Sequence, residues 1–418
     1  MRNTTKLFGI IAIVAVIVFS MAGCDNGSPA GPGGEPPPPG FTVTFDSASG
    51  SAVANQTGIE SGGFAAAPPP PTRAFAPGVG LWAHPMPTAT AYTFDGWFAP
   101  EALEPFAFAT TPITANITLL AHWTAPEMPI ALEGTNLVDA AFAYVNANPG
   151  AFTLLVGAPA TRTAAFAPGA NVHLTIAGVG GQQTITRTGT GNLFNVNGEY
   201  SSLTLGGYIT LAGHSGNNNS LVLVQGGASL TMNAGAQITG NTATGGQQGG
   251  GVNVTGAGST FTMLGGEIRD NRATGATNGA GVRVAAGASF VMHAGAVIEG
   301  NTAEENDHSA GGVLLLNAES IFTMLGGEIR GNSATGDTAA VGGARISGGS
   351  LQIVNGVIYG YGADNANTGV ANDVLLLENN GTAEYGTFVG DNWTPNPDSG
   401  GELDSTDDTI RVVNGVLQ

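Results

Sequence analysis

The sequence predicts an all-β protein whose larger part is a parallel β-helix with coils of about 30 residues. Three observations carry this. The first is a period. FTMLGGEIR at residues 261–269 returns letter for letter at 322–330, with a looser copy at 290–299. The closing asparagines, Asn241, Asn271, Asn301 and Asn332, are 30, 30 and 31 residues apart. A fixed period in this range marks a solenoid. The second is alternation. Each repeat holds two short patches that are apolar at every second residue, the strand signature. One is Val252 and Val254, matched by Val222/Val224, Val282/Val284, Val313/Leu315 and Ala344/Ile346. The other is Phe261 and Met263, matched by Leu230/Met232, Phe290/Met292, Phe322/Met324 and Leu351/Ile353. A third patch centres on Ile268, matched by Ile209, Ile238, Ile298, Ile329 and Ile358. The third observation is glycine, 67 of 418 residues, which breaks the pieces too often for helices. Three strands and three turns then make one coil, and coils stack at about 4.8 Å.

Stacking gives the recurrent polar residues a place. The asparagine follows its isoleucine at a constant offset of three. Asn241, Asn271, Asn301 and Asn332 are therefore expected to form a structural ladder inside a turn, each amide bonding to the next, a device of stacked β structure. The alternative is that asparagine only suits the turn. Beside the isoleucines, Glu267, Arg269, Glu299, Glu328 and Arg330 are expected to be solvated ladder charges, with Arg269, Glu299 and Arg330 alternating in sign.

From the start of the chain, residues 1–23 read as a targeting segment. Arg2 and Lys6 give a positive head, and residues 7–19 are an apolar run of the length of a secretory core. Met21-Ala22-Gly23-Cys24 follows, and Cys24 is the single cysteine, so no disulfide framework exists. This stretch resembles the bacterial lipoprotein signal, with Met21 where that family usually has leucine. The resemblance implies cleavage before Cys24 and its lipidation. Asp25 leaves the membrane leaflet open. Residues 24–40 are a proline- and glycine-rich tether.

Residues 41–125 form a separate unit. Phe41-Thr42-Val43-Thr44-Phe45-Asp46, Tyr92-Thr93-Phe94-Asp95-Gly96-Trp97-Phe98 and residues 113–119 are β-prone, and Ala121-His122-Trp123 closes the unit. Together with Pro105-Phe106 and Thr111-Pro112-Ile113-Thr114, these signs resemble the internalin B-repeat, also called the Listeria–Bacteroides repeat. That implies a small β-grasp-like module used as a stalk or binding unit on bacterial surfaces. Residues 74–91, with Trp82 and His84, read as an insertion relative to it: a surface loop, or alternatively a ligand loop. His84 and His122 lack the cysteines or carboxylates that would make them a metal site.

Residues 126–132 read as a linker and 133–418 as the β-helix with its caps. Residues 136–146 read as a short helix, with Leu137, Ala141 and Tyr144 on one face, placed to cover the first coil. Residues 151–206 are a degenerate run-in, as terminal solenoid units commonly are. Beyond Tyr361 the repeat decays, and residues 410–417 read as a closing hairpin turned at Asn414-Gly415.

Removing residues 1–23 leaves nine basic residues, all arginine, against 30 acidic ones, a net charge of −21. Such a chain is expected not to seek nucleic acid, whose phosphates would repel it, and to rely on the lipid for its attachment to a membrane. The coil period and the Gly-Gly-Val and Ile-x-x-Asn rhythm resemble right-handed, pectin-lyase-like solenoids of bacterial surface proteins and, more distantly, chlamydial polymorphic membrane-protein repeats. Some relatives are polysaccharide lyases or hydrolases, which would imply clustered acids. Here Asp270, Glu319 and Asp337 are scattered, and the one cluster, Glu304-Glu305-Asn306-Asp307-His308, lies in a single turn. It reads as a solvated loop, with a weak calcium site as the alternative. The expectation is a monomeric, lipid-anchored protein of the bacterial cell envelope, on its outer surface, with no catalytic residue, cofactor or metal. It would bind a glycan or protein through the variable turns at 242–248, 272–278, 302–309 and 333–340. The alternatives are a structural spacer or surface coat and, third, an enzyme on polysaccharide.

Overall fold

A computed structural model of the chain describes residues 40–418 apart from 49, 74–91, 101, 103, 125–127, 131–135, 148–149, 247, 276–277, 305–307, 337–338, 371–373, 398–402, 404–405 and 407. The described residues are almost entirely β, with a single helix at Asn136–Ala147. A parallel β-helix of about eight turns forms the body.

The three apolar patches each build one sheet. In the first-patch sheet Val222, Val252, Val282, Val313 and Ala344 lie in register. In the second, Leu230, Phe261, Phe290, Phe322 and Leu351 do. The phenylalanine rings stack with centroids 4.8 and 4.7 Å apart and planes within 9° and 12°. In the third, Ile238, Ile268, Ile298, Ile329 and Ile358 stack. All of these side chains are buried. Below Ile238 the residue in register is Leu211, and Ile209 pairs with Gln183 instead. A slip of two keeps a side chain on the same face of a strand, so both residues are buried and the patterns look alike.

Each regular coil has a fourth strand that the sequence reading lacks. Thr242–Ala243, Arg272–Ala273, Thr302–Ala303 and Ser333–Ala334 form a parallel sheet of two-residue strands. Ala273, Ala303 and Ala334 of these strands join Ala280 and Ala340 in a small second core. Two residues are too few for a periodic signal.

The helix covers the first coil, as expected, but with a rotated face. Val138, Ala141, Phe142 and Val145 are buried, the i, i+3, i+4, i+7 stripe. Tyr144 is half-buried, and its hydroxyl lies 3.5 Å from that of Tyr92. Phe142 stacks on Phe166 at 4.4 Å and meets Phe194 edge-on at 5.6 Å.

The first module is a mixed sheet in the order Gln56–Ile59, Phe41–Asp46, Ile117–Thr124, Thr93–Phe98, with a parallel central pair and antiparallel outer pairs. That is a β-grasp-like order. Val43, Phe45, Trp97, Leu119 and Trp123 fill its core. The sheet does not end there. Thr124 pairs with Ala151, and Met128–Ile130, inside the expected linker, pairs with Gly150–Val156. The edge of the first coil at Gly150–Val156 is thereby partly paired, and module and β-helix share one 15-stranded sheet. At the far end the hairpin of Ile410–Val413 and Val416–Leu417 pairs antiparallel with Gly356–Ile358. Asn414 and Gly415 both have positive φ, 50° and 71°, as a tight hairpin turn requires. A second hairpin, Thr382–Val389 with Asn392–Pro395, was not expected from the sequence.

Candidate functional site

The ladder asparagines are fully buried and bonded as expected. The backbone N–H groups of Asn241, Asn271 and Asn301 donate to the Oδ1 of Asn271, Asn301 and Asn332 at 3.2, 3.1 and 3.0 Å. The Nδ2 groups of Asn271 and Asn301 donate to the same next oxygens at 3.1 and 2.9 Å. The ladder is longer than predicted. Asn332 donates on to Asn367, and Asn217 donates to Asn241 Oδ1. Asn367 comes nine residues after Ile358, and Asn217 six after Leu211, so the constant offset could not reveal them. The outer charges are solvated and paired: Arg330 with Glu299 and Glu328, Arg269 with Glu267 and Asp270 inside its own coil. These features hold the rod together and leave nothing to receive a ligand.

The candidate surface is the outer face of the first-patch sheet. Its outward column reads Asn195, Leu223, Asn253, Arg283, Leu314, Arg345, Leu376. The segments that follow the ladder asparagines run alongside and cover part of this face. Gly249, Gly279, Ala310 and Val341 bridge coil to coil, and a Cβ on Gly279 would sit 3.0 Å from Leu314. The middle of the column is consequently buried, with Asn253 4% exposed, Arg283 7%, Leu314 0% and Arg345 2%, while Asn195, Leu223 and Leu376 are half-buried. Sequence reasoning placed only the inward residues of these strands in the core. The available signal was an arginine between two inward apolar residues, Val282 and Val284 around Arg283 and Ala344 and Ile346 around Arg345.

Where the cover is incomplete a groove of about 630 Å³ opens. Its polar lining includes Gln225, Gln248, Asn253, Arg283 and Asn317, and Leu223 and Ala285 add apolar surface. Gln225 Nε2 donates to Asn195 Oδ1 (3.1 Å), and Gln248 Oε1 accepts from Ser220 Oγ (3.0 Å). Arg283 Nη1 donates to Asn253 Oδ1 (3.1 Å), while its Nε is buried without a partner. Burial pushes its guanidinium pKa down, and no acid among the described residues pairs with it. Arg345, two rungs along, has a counter-ion: Glu378 pairs with it and its Nη2 donates to His308 Nδ1 at 2.9 Å, although its Nε and Nη1 are also buried without partners.

Of the acidic turn, Glu304 pairs with Arg272, whose hydrogen bond and charge hold the carboxyl below its usual range. Glu305 and Asp307 lie outside the described residues, as do Cys24, Trp82 and His84. His122 stacks on Phe98 with centroids 3.9 Å apart, and burial lowers its pKa. No group of three or more His, Cys, Asp or Glu side chains among the described residues is placed to hold a metal ion.

Residues 81–122 match the family model of the Listeria-Bacteroides repeat domain. The match covers the second half of the module, leaves out the Phe41–Asp46 strand, and begins inside the segment read as an insertion. No curated protein and no solved structure matches the chain. The chain thus joins a Listeria-Bacteroides repeat, a surface-type module, to a parallel β-helix, which is consistent with a bacterial surface protein.

Proposed function

We propose that this is a lipid-anchored, non-catalytic protein of the bacterial cell surface that binds a glycan or protein ligand through the turn-flanked face of its β-helix. The observation that carries this reading is the groove, a largely polar one in which side-chain amides, a hydroxyl and a buried arginine come together beside Leu223 and Ala285. A concave, mostly pre-formed site with a few fixed polar groups is what small-ligand recognition uses. The anchor is Cys24, after an apolar leader and before a proline-rich tether. Glu304, Glu299, Glu328 and Glu378 each meet an arginine, which favours binding over catalysis, and Glu319 stands alone in an exposed turn with no second acid beside it in the sequence. We expect a monomer that does not engage nucleic acid.

The competing reading is a spacer or coat. The shared sheet supports it, because it makes a stiff rod of the module and the β-helix. The two separate on a glycan array and a host-cell binding assay with residues 25–418. A binder gives saturable, selective signal; a spacer gives none above a denatured control.

A further inference from the structure

We propose that the groove beside Arg283 receives a carboxylate, carried on a hydroxyl-rich ligand of the acidic-sugar class. The inference deepens the binding role just proposed and rests on it.

The argument starts from an uncompensated charge. Removing an ion from water is costly unless a partner replaces the lost solvation. Other buried arginines also keep a nitrogen without a hydrogen-bond partner, Nη1 of Arg162 and Arg187 and both Nε and Nη1 of Arg345, but each has a charged or multiple polar partner as well. Arg162 meets Asp139, Arg345 meets Glu378, and Arg187 donates to the carbonyls of Thr190 and Gly191. Arg283 has one bond, to a neutral amide, and a buried Nε–H with no acceptor. This occurs in a protein with 30 acidic residues, and it occurs in the wall of a groove. What sets Arg283 apart is the lack of an acidic partner among the described residues together with its place in the groove wall, and an anion from outside would supply that partner at the groove-facing side of the guanidinium, not at the buried Nε.

The chemistry narrows the anion. A guanidinium offers a planar fork that matches a carboxylate, and Asn253 fixes one arm of it. One cation lines the groove, which suits a single negative charge better than a doubly charged phosphate. Around it Asn219, Gln225 and Gln248 can each donate and accept, as hydroxyl groups need, and Leu223 and Ala285 offer contact for a sugar's C–H face.

The fold supplies its own control. Arg345 stands opposite Leu376, and its counter-ion Glu378 lies two residues further along that strand. Arg283 stands opposite Leu314, so the equivalent position is the half-buried Leu316. Leu316→Glu should give Arg283 an internal partner.

The test is calorimetric titration of residues 25–418 with N-acetylneuraminate, D-glucuronate, the neutral sugars D-glucose and N-acetylglucosamine, and inorganic phosphate. We expect saturable binding of at least one acidic sugar, with the neutral sugars weaker by about tenfold or more. Arg283→Gln and Leu316→Glu should each weaken the acidic sugar by about tenfold or more, with the melting midpoint kept or raised. Neutral sugars binding as tightly as acidic ones, phosphate binding alone, no acidic sugar binding at millimolar concentration, or unchanged affinity in Arg283→Gln would each overturn the inference. Neutral-glycan binding that survives Arg283→Gln would leave the binding role standing and remove only the carboxylate.

Discussion

Replacing Asn301 by leucine tests the ladder at its centre. The side chain is fully buried and makes five hydrogen bonds. Its Oδ1 accepts from the N–H and Nδ2 of Asn271, and its Nδ2 donates to Ile268 O, Glu299 O and Asn332 Oδ1. Leucine is close in size and keeps none of them. Several partners retain another bond. Asn271 Nδ2 still reaches Ile238 O and Arg269 O, and Asn332 Oδ1 still accepts from the Asn301 backbone. The Asn271 N–H loses its acceptor in a dry site, which costs about 1–3 kcal/mol, and each shared bond adds roughly 1 kcal/mol or less. The sum is on the order of 3 kcal/mol, a fall of several degrees in melting midpoint for a chain of this size. The control is Asn392→Leu at an exposed strand position, where a surface change is worth within about 0.5 kcal/mol. Thermal melts of both variants, followed by circular dichroism, decide it. Equal midpoints would refute the ladder as a source of stability and reduce the asparagines to turn formers.

Four further outcomes are expected. Phe290→Ala cuts the ring stack between Phe261 and Phe322 and should cost about 3–5 kcal/mol; a denaturant midpoint within error of wild type would contradict the packing. Cys24→Ser should abolish incorporation of labelled palmitate and release or mislocalise the protein, and labelling of the variant equal to wild type would remove the lipoprotein reading. Millimolar calcium should leave the melting midpoint unchanged and yield no unsaturated sugar from uronate polymers; a calcium-dependent absorbance rise would move attention to Glu304, Glu305 and Asp307. The Glu304 carboxyl is held low by Arg272, so its contribution to stability is present above the ordinary carboxylate range and is lost as pH falls through the depressed folded value. Arg272→Gln should return its titration, followed by NMR, toward that ordinary range.

Sequence legibility followed the length of each signal. The Val252, Phe261 and Ile268 patches recur in every regular coil and fixed three sheets in register. The asparagine offset fixed the ladder wherever the turn length stayed constant, and failed at Asn217 and Asn367, where the turns are longer. The helix was placed correctly, but its buried face turned on Phe142, whose partners Phe166 and Phe194 come from the irregular run-in. Two-residue strands and the Met128–Ile130 edge strand were too short to register. The groove was hidden for another reason. Outward strand positions are normally solvated, and only the return of the turns over the sheet buries Arg283 and Arg345.

The ladder has a direction. From Asn241 to Asn332 each backbone N–H gives to the oxygen of the next coil toward the C-terminus, and the next asparagine's Nδ2 reaches back to a carbonyl of the coil before it. A finished coil therefore presents, on one end only, the donors that its successor must satisfy. The two ends of the rod are inequivalent templates, and the growing end is the one that emerges last from synthesis. Each rung joins residues 30 to 35 apart however many coils precede it. The loop to be closed thus stays nearly the same as the rod lengthens, and the entropic cost of adding a coil does not rise with the length already built.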